Sequence, residues 1–72
     1  MNGYALVLSD SKIIISGLGL VLKENEIPFL VKSGTIPGYE LTVDMDELFI
    51  KDKDLGRARP IIVNYKKQIQ KV

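Results

Sequence analysis

The apolar run from Ile13 to Leu22, closed by Lys12 on one side and Lys23 on the other, constrains this chain more than any other feature. A membrane span needs about 20 apolar residues, so the run is too short to cross a bilayer. Asp10 stands just before it and no small-residue cleavage site follows, so it does not fit a signal peptide. It is also longer than an ordinary strand, which leaves a buried helix. A stripe of Ile14, Leu18, Val21 and Leu22, with Lys12, Ser16 and Lys23 opposite, has the period of such a helix over about Lys12 to Asn25. Gly17 and Gly19 interrupt it, and close packing of the helix on a sheet is the simplest reason to keep them. Ser9, Asp10 and Ser11 offer oxygen acceptors for the free N–H groups at its start.

A helix so placed needs strands on either side. Tyr4 to Leu8 is a compact apolar run of strand length. Ile27-Pro28 ends the helix, because a residue before proline avoids helical geometry, and Phe29 to Lys32 then reads as a second strand. A third runs from Glu47 to Lys51, with Leu48 and Ile50 on one face and Phe49 on the other. Between them, Ser33 to Asp46 carries the turn residues Gly34, Pro37 and Gly38. The alternation of Tyr39, Leu41 and Val43 with Glu40, Thr42 and Asp44 allows at most one short irregular strand there.

A second helix is expected after Asp52, a candidate N-cap, with Asp54 suited to the positive end of its dipole. Leu55, Ala58, Ile62, Tyr65 and Ile69 make its apolar stripe. Pro60 falls opposite the stripe, facing water. The competing reading is a strand from Pro60 to Tyr65, since Ile61, Ile62 and Val63 are β-branched. Lys66, Lys67 and Lys71 suit a helix C-terminus.

The expected architecture is a single α+β domain over residues 1–72, a ferredoxin-like βαββα unit. It has a three-stranded, mainly antiparallel sheet with two helices on one face. The first and second strands are parallel, and the third lies between them. The reverse face then shows Leu30, Phe49 and one alternate set from the first strand, either Tyr4, Leu6 and Leu8 or Ala5 and Val7. A contiguous apolar patch of that kind marks an interface. The first strand is also left as a bare edge. Both features point to a homo-oligomer or to a protein partner docked on the open sheet face, with Ile36 and Tyr39 of the loop as further candidate contacts.

Composition narrows the chemistry. There is no cysteine and no histidine, so catalytic sets built on either are excluded and a zinc or haem site is not expected. Glu40, Asp44, Asp46 and Glu47 form the nearest carboxylate cluster. Acid–base chemistry or an oxygen-ligated Ca²⁺ or Mg²⁺ is conceivable there, but a solvated loop face is the expectation. No enzyme activity, cofactor or metal is therefore expected. Lys and Arg nearly balance Asp and Glu, for a net charge of +1. That balance argues against nucleic acid, although Arg57, Arg59, Lys66, Lys67 and Lys71 are basic and Tyr4, Tyr39, Phe29 and Phe49 could stack on bases. The absence of cysteine agrees with a cytoplasmic setting.

Two segments carry a family resemblance. Leu22-Lys-Glu-Asn-Glu-Ile-Pro-Phe-Leu-Val31 resembles a helix end followed by a short strand, and Glu47-Leu-Phe-Ile-Lys-Asp-Lys-Asp-Leu-Gly-Arg-Ala58 resembles a strand meeting an acidic helix start. Together they are similar to a small bacterial family, a domain of unknown function described as a prokaryotic signal-transducing protein. Its fold is ferredoxin-like and similar to that of the nitrogen-regulatory PII proteins. The resemblance spans about residues 4–70 and implies a regulatory role. In PII proteins a long loop between the second and third strands meets partners and nucleotide. Here 33–46 takes that place and is much shorter, and Pro60 is a second departure.

Overall fold

The structure, a computed structural model, describes residues 3–34 and 45–69. The elements are β1 (Tyr4–Ser11), α1 (Lys12–Glu24), β2 (Phe29–Gly34), β3 (Met45–Lys51), a 3₁₀ turn at Asp52–Asp54, and α2 (Leu55–Ile69). The sheet order is β1-β3-β2, with β3 antiparallel to both neighbours. This is the expected α+β, ferredoxin-like arrangement, and Pro60 to Tyr65 are helical. The strand alternative fails because Ile62 is spaced from Ala58 and Tyr65 to share one helical stripe, and both Ala58 and Ile62 are buried.

The core lies between the sheet and the two helices. Ile15, Leu18 and Leu22 of α1 meet Leu48 and Ile50 of β3, all fully buried, with Ile27, Ala58 and Ile62 around them. Each large side chain buried this way stabilises the fold by about 1.5–3 kcal/mol. The buried stripe of α1 is turned from the expected one. Ile15 takes the central place, while Ile14 and Val21 are half-buried. Three consecutive isoleucines leave the phase of the helix open in the sequence. Nor is the apolar run buried all round: Ile13 is 83% exposed and Leu20 63%.

The ends of α1 are fixed by local chemistry. The Ser11 hydroxyl accepts from the Ile14 N–H at 3.4 Å, and Asp10 Oδ1 accepts from the Ser11 N–H at 2.7 Å. At the C-terminus the Ile27 N–H donates to the Leu22 carbonyl at 2.9 Å and the Glu26 N–H to the Lys23 carbonyl at 3.0 Å. That is a Schellman closure, with Leu22 and Ile27 packed together in the core. Glu26 takes the left-handed position, φ 57°, where glycine is usual.

At the other helix, Asp52 is not the N-cap. It lies in the 3₁₀ turn, and its N–H donates to the Gly3 carbonyl at 3.0 Å. Asp54, buried at the start of α2, accepts from Arg57 at 3.0 Å. The two helices are joined by the Tyr65 hydroxyl, which donates to the Ile14 carbonyl at 2.7 Å.

Of the α1 glycines, Gly19 has the close packing on the sheet expected of it, whereas Gly17 packs on α2 instead. A Cβ at Gly17 would meet the Tyr65 hydroxyl, and one at Gly19 would stand 2.9 Å from the Phe29 ring. Gly56 in α2 has open space around it. The same substitution should therefore have opposite signs. Gly56→Ala is expected to raise stability by up to about 1 kcal/mol through helix propensity. Gly17→Ala is expected to lower it by about 1–3 kcal/mol by displacing Tyr65. Urea midpoints of the two variants check this.

Candidate interaction surface

Pairing and alternation assign every described strand residue to a face. On β3, Asp46, Leu48 and Ile50 point to the helices, and Met45, Glu47, Phe49 and Lys51 to the reverse. On β2, Phe29 and Val31 pair with Ile50 and Leu48 on the covered side, while Leu30 pairs with Phe49 on the open side. On β1 the open face matches neither of the two alternate sets expected from the sequence. A β-bulge shifts the register between Leu6 and Leu8. Tyr4 and Leu6 face the open side, but Leu8 joins Ala5 and Val7 on the covered side, and Val7 and Leu8 both pack on the core.

The open face thus carries one apolar row across all three strands, Leu6–Phe49–Leu30. Leu6 is 50% exposed and Leu30 42%, and Phe49 between them is half-buried. Tyr4 extends the row beside Lys51, and the next row is Ser9–Glu47–Lys32. The Lys32 ammonium sits 5.3 Å from the Phe49 ring centre, a cation–π contact worth about 0.5–1 kcal/mol at an exposed site. An apolar centre with a charged border is the make-up of a protein interface. Leu30 and Phe49 stand where the sequence placed them. Ile36 and Tyr39 lie outside the described residues, as do Glu40 and Asp44. Met45, exposed on the same face, was missed because the third strand begins two residues earlier than its alternation was read.

The two described carboxylates of the expected cluster point to opposite faces of the sheet. Asp46 is buried on the covered face opposite Asp10, and Glu47 projects from the open face. Among the described residues no group of three or more acidic side chains could hold a metal ion. The basic residues of α2 belong to the helix layer, across the sheet from Tyr4 and Phe49, so those cations do not share a surface with these two rings. Phe29, the other described ring considered for stacking, packs against Gly19 on the covered side. No helix among the described residues is long and apolar enough to cross a membrane.

Two grooves flank the helix layer. One, of about 310 Å³, runs between β1 and α2, with Ala5, Val7 and Ile62 on its floor and Arg59 and Lys66 at its rim. The other, of about 290 Å³, lies between α1 and the β2 edge and includes Phe29, Val31 and the buried Asp46. No family model, no curated protein and no solved structure matches this chain.

The open-face row contributes little to the fold itself, since nothing among the described residues packs over it. Leu30→Ser is expected to cost less than about 1 kcal/mol, against about 2–5 kcal/mol for Leu48→Ala in the core. Chemical denaturation of both variants measures the difference.

Proposed function

We propose that this protein is a small, non-catalytic interaction module of a regulatory kind, working in the cytoplasm, which docks another protein on its open sheet face. The observation that carries the reading is the Leu6–Phe49–Leu30 row. It spans the full width of the sheet, it is continuous, and the fold does not require it to be apolar. Its charged border of Lys32, Glu47 and Lys51 would set the orientation of a partner more than the strength of its binding. The resemblance of 22–31 and 47–58 to the bacterial signal-transducing family supports the regulatory part of the reading.

A second reading is a sensor of a small metabolite that uses the segment between β2 and β3, and the groove between α1 and β2 supports it. The groove's lining includes the buried Asp46, next in sequence to Met45, where β3 begins.

Affinity capture with two baits tests the first reading. The wild-type chain is expected to retain a partner that the Leu30→Gln/Phe49→Gln variant loses, while the variant keeps its circular dichroism and urea midpoint. Equal retention by both baits refutes docking on this face. For the second reading, a metabolite that raises the melting temperature of the wild type, and less so of Asp46→Asn, would favour the sensor, because binding to the folded state alone stabilises it.

A further inference from the structure

The outer edge of β1 is a separate feature from the open face. β1 is hydrogen-bonded to β3 on one side, and among the described residues nothing pairs with it on the other. Proteins usually blunt such an edge with proline, with several charges or with a covering element. β1 has no proline and one charged residue, Asp10.

The bulge gives this strand an unusual symmetry. From Tyr4 to Ser11 the side chains face open, covered, open, covered, then covered, open, covered, open. The order is the same from either end, and its centre is the Val7–Leu8 peptide. We propose that two copies of this chain pair antiparallel along this edge, Val7 opposite Leu8 of the second copy, joining their sheets into one. In that register Leu6 meets Ser9, Ala5 meets Asp10 and Tyr4 meets Ser11, and every pair shares a face. Sliding the strands by one or two residues sets a covered side chain against an open one, which a buried face does not tolerate. The two bulges fall at the same level, next to the two-fold axis, so both strands bend together.

Electrostatics select the same register. Within one chain Asp10 lies directly across from Asp46, which is only 6% exposed, and neither makes an ion pair among the described residues. Like charges so placed repel. Arg59 and Lys66, also without ion pairs among the described residues, rim the groove whose floor includes Ala5. Pairing sets Asp10 of the second copy against Ala5, beneath those two cations. Two-fold symmetry repeats the contact, so both acidic strands gain a basic groove. The apolar centre, Val7 against Leu8 in each direction, lies between the two charge contacts. The inference does not draw on the open face, which remains uncovered on the same side of both copies.

The absence of native cysteine allows a direct test on the full chain. Residues directly opposite in an antiparallel pair are close enough for a disulfide. A mixture of Leu6→Cys and Ser9→Cys chains is expected to give the mixed disulfide dimer under mild oxidation, well in excess of either like-with-like dimer. Sedimentation equilibrium of the wild type is expected to approach twice 8.1 kDa. Asp10→Lys should return the mass to that of a monomer, and adding Arg59→Glu and Lys66→Glu to that chain should restore the dimer. A mass of 8.1 kDa at every concentration overturns the proposal, as does a preponderance of like-with-like disulfides. So does a dimer that survives Asp10→Lys but dissociates in Leu30→Gln/Phe49→Gln, which would place self-association on the open face instead.

Discussion

Leu48 and Ile50 are where all the layers of this molecule meet. Both are fully buried, both lie on the one strand with neighbours on each side, and both face the helices. Leu48 is flanked by Leu8 and Val31, and Ile50 by Ala5 and Phe29. The side chains of α1 and α2 then close over them. In so small a chain, with no disulfide to shrink the unfolded ensemble, this single cluster carries most of the burden of stability. Among the described residues, the side chains on the reverse of the sheet stand apart from that cluster.

That division explains which parts of the fold were legible in the sequence. The order of elements follows from periodicity alone: an apolar run too long for a strand, then alternation in β3, then a helical stripe that carries through Pro60. The central place of β3 follows from the crossover. The faces of β2 and β3 were legible for the same reason, since neither strand breaks its alternation, and Leu30 and Phe49 were found that way.

What escaped the sequence depends on contacts between distant residues. The bulge in β1 exists only relative to β3, and nothing in Tyr4-Ala-Leu-Val-Leu8 announces it. The choice of Ile15 over Ile14 as the buried isoleucine is made by packing in the core cluster, among residues far apart in the sequence. The left-handed turn at Glu26 was hidden because the residue there is not glycine, although the proline after Ile27 did mark the helix end. Asp52 was expected as the N-cap and Asp54 within the first turn, but both lie in a 3₁₀ turn before α2. Only that turn decides that Asp54 is the one beside the helix.

The bulge also sets how this strand can vary over time. It works as a phase slip in the in-and-out rhythm of β1, and the residues on either side of it hold their faces by counting from it. Exchanging one side chain for another leaves that count intact. Losing or gaining a single residue just before Val7 would turn over Tyr4, Ala5 and Leu6, setting the two large side chains against the helices and Ala5 on the open face. Lineages of this sequence should therefore exchange residue types along β1 more readily than they change its length.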